Sequence, residues 1–242
     1  MIALERAMVL AAGLGTRMRP LTDDRAKPLL PLDGRTLLDH ALDRLAEAGV
    51  KRAVVNAHWH ADQVAAAVAG RSHPAVTLQH EEALLETGGS VRLALPELGD
   101  AAFAVVNGDA FWLNGPVSAL TRLAAAFDAE AMDGLLLLIR TAQIEGEVGF
   151  GDFLLDPLGK LRRPKEREIA PYLFGGVQIL APRLLAEQPV ERFSLNRVYD
   201  RAIAAGRLYG LVHDGVWFHL STPQDLKRAE DALRAGLTRA LF

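Results

Sequence analysis

Apolar runs of strand length alternate with helical patterns through roughly the first 140 residues, and this alternation limits the fold more than any other feature. The runs predict five strands: Ala7–Ala12, Ala53–Asn56, Val76–His80, Phe103–Asn107 and Leu135–Ile139. Four helical patterns lie between them: Thr36–Ala48, Asp62–Ala69, Gly88–Leu95 and Pro116–Asp128. Strands that are apolar at successive positions are typical of a parallel sheet covered by helices on both faces. The repeated strand–helix units therefore predict an α/β fold with a doubly wound, mostly parallel sheet.

The pattern loosens after residue 140. Four further strands are predicted: Val148–Leu155, Leu173–Leu180, Leu208–His213 and Trp217–Leu220. A helix is expected near Leu195–Ala205, and Pro223 opens a terminal helix that runs to about Ala235, because proline is tolerated in a first helical turn. No linker, repeat or low-complexity segment interrupts the chain, so we expect a single domain over residues 1–242.

Composition excludes several classes of protein and site. The 242 residues carry a net charge of −3, which argues against a nucleic-acid partner. There is no cysteine, and this excludes disulfides, thiolate catalysis and zinc–thiolate sites. The first residues lack the layout of a signal peptide, and no apolar run reaches the length of a membrane span. We expect a cytoplasmic protein without a membrane partner.

Gly13 and Gly15 follow the first predicted strand and are succeeded by Thr16, Arg17 and, a few residues later, Lys27. Glycines expose backbone N–H groups and tolerate positive φ, as a backbone cradle for anionic oxygens requires. The arginine and the lysine supply the positive charge that such an anion needs. A Rossmann motif would require a third glycine, the P-loop pattern is absent, and a plain turn would need only the two glycines. Together these residues predict a site for a nucleoside triphosphate.

The tripeptide Asn107-Gly108-Asp109 directly follows the predicted strand Phe103–Asn107. Ligands of doubly wound sheets bind beyond the carboxyl ends of the strands, so Asp109 is expected in the same crevice as the glycine loop. Carboxylate and phosphate oxygens together suit Mg²⁺. Asn-Gly-Asp is also a common turn by itself. We predict that Asp109 holds Mg²⁺ beside the triphosphate.

A third candidate segment, Leu85–Ser90, lies at the start of a predicted helix. Thr87 offers a hydroxyl, and Gly88 would let a flat ring approach the backbone. The same residues suit an ordinary helix start in which Thr87 is the N-cap. The two interpretations are compatible.

The string Gly13–Thr22, together with Lys27-Pro28-Leu29, resembles the signature of sugar-1-phosphate nucleotidyltransferases. The resemblance implies a Rossmann-like nucleotidyltransferase fold, similar to the glycosyltransferase-A fold, in which residues 1–140 bind the nucleotide and residues 141–242 form a sugar-binding elaboration. Ala26 departs from the family pattern, which has proline before the lysine. The resemblance implies catalytic roles for Arg17, Lys27 and Asp109. The nucleotide site that it implies consists of Ala11, Ala12, Gly13, Gly15, Thr16, Arg17, Lys27, Thr87 and Gly88.

Leu85–Gly89 and Gly151-Asp152-Phe153 look most like the N-acetylmuramate α-1-phosphate uridylyltransferases of peptidoglycan recycling. This resemblance implies that Asn107, Gly151 and Asp152 bind the sugar, although a short strand with a β-bulge is the alternative for the glycine segment. It implies that UTP and N-acetylmuramate α-1-phosphate react to a nucleotide sugar and pyrophosphate. Mannose-1-phosphate guanylyltransferase, or another hexose-1-phosphate nucleotidyltransferase, is the nearer alternative. A catalytically inert nucleotide-binding module is the more distant one.

His219 is a departure from the same family. The family's second metal-binding aspartate lies in a segment of the form W-x-D-x-G-T, which here reads Trp217–Thr222 with His219 in the place of the aspartate. Mg²⁺ prefers oxygen ligands, whereas imidazole suits Mn²⁺. One hypothesis is that Asp109 and His219 both serve the metal site, with Mn²⁺ as an alternative to Mg²⁺, or that His219 donates to phosphate. The other is that the second metal position is lost and catalysis is weak.

Overall fold

Seven strands form one mixed sheet in the computed structural model, which describes residues 2–144 and 149–236. In chain order they are β1 Arg6–Leu10, β2 Arg52–Ala57, β3 Ala75–His80, β4 Phe103–Asn107, β5 Gly134–Arg140, β6 Tyr172–Leu180 and β7 Leu208–Val212. Their spatial order is β7-β5-β6-β4-β1-β2-β3. Neighbours run parallel except at β6, which is antiparallel to both β4 and β5. The predicted doubly wound, mostly parallel sheet is confirmed.

Helices cover both faces of this sheet. They are α1 Leu37–Glu47, α2 Ala61–Val68, α3 Glu86–Leu98, α4 Ala119–Ala126 and α5 Asn196–Ala204, whereas α6 Pro223–Arg234 packs in a separate core cluster. Successive side chains of a strand point to opposite faces. Val9 and Val55 accordingly share a core with α1, α2 and α4, while Met8 and Val54 share one with α3 and α5. Burial on two sides explains why the strands are apolar at successive positions.

Most of the predicted elements are confirmed, with shifts of three residues or fewer at their ends. The strand predicted at Val148–Leu155 is wrong. Val148 lies outside the described residues, and within the described part of that range only Leu154–Leu155 is a strand, in a short antiparallel pair. Gly149 and Gly151 have φ values of 67° and 76°, a left-handed conformation that interrupts an extended strand. No helix in the described residues is long and apolar enough to cross a membrane.

A small ribbon outside the central sheet positions the segment around His219. Its two antiparallel strands are Phe111–Leu113 and Val216–Phe218. The first residue of one lies opposite the last residue of the other, so His219 comes next to the chain segment that contains Asp109. Helix α6 shares a core cluster with Met18, and the last helix therefore supports the glycine loop.

Thr222 caps α6, and a substitution there tests how far the terminal helix depends on its first turn. The Thr222 hydroxyl accepts a hydrogen bond from the Asp225 backbone N–H at 3.3 Å, and the Asp225 carboxylate accepts one from the Thr222 backbone N–H at 2.7 Å. Thr222→Ala should lower the free energy of unfolding by about 1 kcal/mol, because the hydrogen bonds between the Thr222 hydroxyl and Asp225 are lost. Thr222→Ser keeps the hydroxyl and should unfold in urea like the wild type. Equal losses in both variants would contradict the capping role.

Candidate active site

A cavity of about 460 Å³ opens where β1, β2 and β4 end. This is the crevice in which doubly wound sheets bind their ligands. Residues from the glycine loop, from the ends of the strands and from the start of α3 line it, with Ser194 and Ser221 from the second half of the chain. The predicted site residues among the lining are Ala12, Gly13, Gly15, Thr16, Arg17, Lys27, Thr87, Asn107 and Asp109.

Gly15 sets the shape of the loop that follows β1. Its φ of 62° and ψ of 25° are left-handed, and a Cβ at this position would lie 3.0 Å from the Lys27 Cβ. The Thr22 hydroxyl donates to the Gly15 carbonyl at 2.9 Å, which fixes the loop beside Lys27. Arg17 is exposed, lines the same cavity and makes no ion pair within residues 2–144 and 149–236. Its guanidinium is therefore available to an anion.

Lys27 and Asp109 form an ion pair inside the cavity. The Lys27 Nζ lies 2.6 Å from the Asp109 Oδ2, and the lysine side chain is only 12% exposed. Lys27 begins a single 3-10 turn, and the backbone N–H of Ala26 before it donates to the Gln63 Oε1 at 3.4 Å. A proline at that position has no such donor. The sequence departure at Ala26 thus adds a contact that the family pattern lacks.

A buried polar network beneath the cavity was missed by sequence reasoning. Asn56, at the end of β2, accepts from the Ala11 N–H at 2.7 Å and donates to the Glu81 Oε1 at 2.9 Å and the Ser90 Oγ at 3.1 Å. Asn56, Glu81 and Ser90 are each 2% exposed and all line the cavity. Ala11 is held by this network and lies outside the lining. An asparagine at the end of an otherwise apolar strand is the signal that could have revealed it.

The segment that opens α3 differs from its predicted form. The helix begins at Glu86 with no side-chain cap, so the prediction of Thr87 as N-cap is wrong. The Thr87 hydroxyl instead accepts from the Leu195 N–H at 2.9 Å. A flat ring does lie against Gly88, but it belongs to Phe193, whose ring a Cβ on Gly88 would approach to 2.3 Å. Gly88 is accordingly absent from the cavity lining.

The segment predicted to bind the sugar lies outside the cavity lining. The Asp152 carboxylate accepts a hydrogen bond from the Phe174 N–H in β6 at 2.9 Å. A Cβ on Gly151 would lie 2.1 Å from the Ala170 carbonyl oxygen, so close packing of the backbone also requires this glycine. Asn107 lines the cavity. The sugar contacts of Asn107, Gly151 and Asp152 stay predictions.

His219 is half-buried and lies outside the cavity lining, but near enough for the charges of Arg17 and Lys27 to act on it. Burial lowers its pKa, the Asp225 carboxylate opposes this, and the charges of Arg17 and Lys27 lower it further. The lowered pKa favours the neutral imidazole at neutral pH. A neutral imidazole has one nitrogen with a free lone pair, which is available to a metal, and one N–H, which can donate to a phosphate oxygen.

Comparison with known proteins shows the family. Residues 7–148 match the model of the MobA-like NTP transferase domain. An N-acetylmuramate alpha-1-phosphate uridylyltransferase from Caulobacter vibrioides is 42% identical over 232 residues, which cover 94% of this chain and 96% of that protein. Its counterpart from Neisseria meningitidis serogroup B is 33% identical over 231 residues, 93% of this chain and 96% of that protein. The chain belongs to the sugar-1-phosphate nucleotidyltransferase family.

The Rossmann-like fold of this family is also confirmed by a solved structure. UDP-glucose pyrophosphorylase complexed with UDP-glucose superposes with a TM-score of 0.82 at 14% identity, covering 96% of this chain and 99% of that chain.

Nucleotidyltransferases of this family generally use a divalent metal, and the cavity contains a carboxylate that could hold one. Asp109 supplies a carboxylate that is 36% exposed. In the described part of the chain no group of three or more His, Asp or Glu side chains could hold a metal ion. A hard cation takes six or more ligands, largely oxygen. Asp109 could therefore hold such an ion only where phosphate and water oxygens supply most of the other ligands.

Gly88→Ala tests whether the glycine serves the contact with Phe193. The added Cβ meets both the Phe193 ring and its carbonyl oxygen, at 2.3 Å and 2.9 Å. Overpacking of this kind should lower the free energy of unfolding by about 1–3 kcal/mol. Gly13→Ala is the matched control, because a Cβ on Gly13 has no neighbour within 4 Å, and it should leave stability unchanged. Urea unfolding measures both, and an unaltered Gly88→Ala variant would contradict the contact.

Proposed function

We propose that this enzyme transfers a uridylyl group from UTP to N-acetylmuramate α-1-phosphate and releases pyrophosphate. The observation that carries nucleotidyl transfer is the meeting of the glycine loop, Lys27 and Asp109 in one cavity at the ends of the strands. The two uridylyltransferase relatives, similar over more than nine-tenths of the chain, support the particular substrates. We also propose that residues 1–140 bind UTP, and that residues 141–242 bind the acceptor through Gly151 and Asp152 together with Asn107.

The reaction needs positioning and charge neutralisation rather than a base. An acceptor phosphate oxygen attacks the α-phosphorus of UTP, and the bond from that phosphorus to the bridging oxygen breaks as pyrophosphate leaves. A phosphate monoester is largely dianionic near neutral pH, because its second pKa is about 6. Arg17 and Lys27 reduce the repulsion between the two anions, and the backbone of Gly13 and Gly15 cradles the triphosphate. Asp109 would hold the divalent cation, which neutralises charge on phosphate oxygens when bound.

The hydrogen bonds of Glu81 favour uracil as the base of the nucleotide. Its Oε1 accepts from Asn56 and Gln79, at 2.9 Å and 3.2 Å, and its Oε2 accepts from the Leu85 N–H at 3.3 Å. A carboxylate has about four acceptor positions, so one remains for a ligand in the cavity. Uracil offers a ring N–H to such an acceptor, whereas cytosine offers a lone pair. Guanine also offers a ring N–H, so a guanylyltransferase is the second candidate.

The central experiment is pyrophosphate release from four triphosphates, each paired with N-acetylmuramate α-1-phosphate or mannose 1-phosphate. We expect turnover with UTP and the muramate, and little with CTP. Lys27→Ala and Asp109→Ala should each lower kcat by about a hundredfold or more, because preorganised charge at the reacting phosphates is lost. Lys51→Ala is the matched control, since Lys51 lies on the surface and pairs with Glu5. Near-normal rates in both site variants would refute the mechanism, and absence of pyrophosphate from every pair would favour an inert binding module.

The metal preference tests the proposed role of His219. We propose Mg²⁺ or Mn²⁺ as the cation, with the imidazole nitrogen favouring Mn²⁺. His219→Asp restores an oxygen ligand and should shift the ratio of Mn²⁺-supported to Mg²⁺-supported rates about tenfold toward Mg²⁺. His60→Asp changes a half-buried histidine that lies outside the cavity lining, and it should leave the ratio unaltered. An unchanged ratio in His219→Asp would remove His219 from the metal site.

A further inference from the structure

Lys27 and Asp109 form an ion pair with each other in the structure. The proposed function gives them different partners, a substrate phosphate for Lys27 and a divalent cation for Asp109. Their contact at 2.6 Å is the one ion pair that either makes within residues 2–144 and 149–236. The lysine is 12% exposed and the aspartate 36%, so solvent screens the pair only in part. Both side chains line the cavity in which the triphosphate and the cation are proposed to bind.

The pair weakens the affinity of each side chain for its proposed ligand. An ammonium group that already neutralises a carboxylate attracts a phosphate less, and a carboxylate oxygen that accepts from an ammonium is not free for a cation. Arg17 provides the contrast, because it lines the same cavity and makes no ion pair in the described residues. Arg17 can bind phosphate at once, whereas Lys27 must first leave Asp109.

We propose that Lys27 exchanges partners when the substrate binds. In the empty site it neutralises Asp109. It passes to a substrate phosphate only when a divalent cation takes the carboxylate, so that cation and triphosphate bind as one unit. This inference rests on the proposed function, which supplies the triphosphate and the cation.

Equilibrium binding of UTP to the full chain, measured by calorimetry without an acceptor, tests the exchange. In EDTA, Asp109→Asn should bind UTP about tenfold more tightly than the wild type, because Lys27 is released. In excess Mg²⁺ the order should reverse, with the wild type binding about tenfold more tightly, because the cation has lost its carboxylate in the variant. An Asp109→Asn variant that gains no affinity in EDTA would overturn the proposal.

A double-mutant cycle separates release of Lys27 from simple loss of repulsion between Asp109 and the triphosphate. In a Lys27→Met background the gain from Asp109→Asn in EDTA should vanish. In the matched Arg17→Met background it should persist, because Arg17 does not pair with Asp109. If the affinity gain from Asp109→Asn persists with Lys27→Met, repulsion between Asp109 and the triphosphate explains it, and the exchange is overturned.

Reactivity of the lysine gives a second readout that needs no UTP. Acylation of Lys27 in the folded wild type, followed by mass spectrometry, should be slow without ligands and faster when Mn²⁺ occupies Asp109. An identical rate with and without saturating Mn²⁺ would contradict the exchange. This measurement uses the unmodified protein, so it stands even where a variant fails to fold. Failure of pyrophosphate release in the wild type would refute the proposed function and would leave the acylation result unaffected.

Discussion

The parallel pairing of β1 with both of its neighbours is the constraint on which the site depends. Leu10, the last residue of β1, lies opposite Asn56 of β2 on one side and Asn107 of β4 on the other. This register brings three strand ends to one level, and the loops that leave them must share one crevice. Asp109 reaches Lys27 only because of that register, since 82 positions separate them in the chain.

The second half of the chain is joined to this crevice by backbone contacts. The Phe193 carbonyl accepts from the N–H groups of both Gly88 and Gly89, at 2.8 Å and 3.1 Å, and the Phe193 N–H donates to the Leu85 carbonyl at 3.0 Å. Strand β6 adds a second connection, because it enters the central sheet between β4 and β5. Ser194 comes to the cavity through the first of these connections. The nucleotide-binding and acceptor-binding halves that we propose are therefore joined by backbone hydrogen bonds and by the central sheet.

Features fixed by neighbours in sequence could be predicted, and those fixed by distant partners could not. Asp109 was placed correctly in the crevice because it directly follows an apolar strand. The cap at Thr87 was wrong because its true partner, Leu195, lies 108 positions away. Glu81 was missed because Glu81 and Glu82 form no pattern until Asn56 is seen to donate to the first of them. Thr87 and Glu81 are each far from their partners in the sequence, so only folding brings them together.

The histidine that replaces the family's aspartate removes a negative charge that could have held a cation. An imidazole carries no negative charge in either protonation state, and the charges of Arg17 and Lys27 favour its neutral form by lowering its pKa. Among the other charged groups of the lining, Asp109 pairs with Lys27, Glu86 pairs with Arg192, and Glu81 accepts from Asn56. A cation at Asp109 must then take most of its other ligands from water or from the oxygens of the nucleotide.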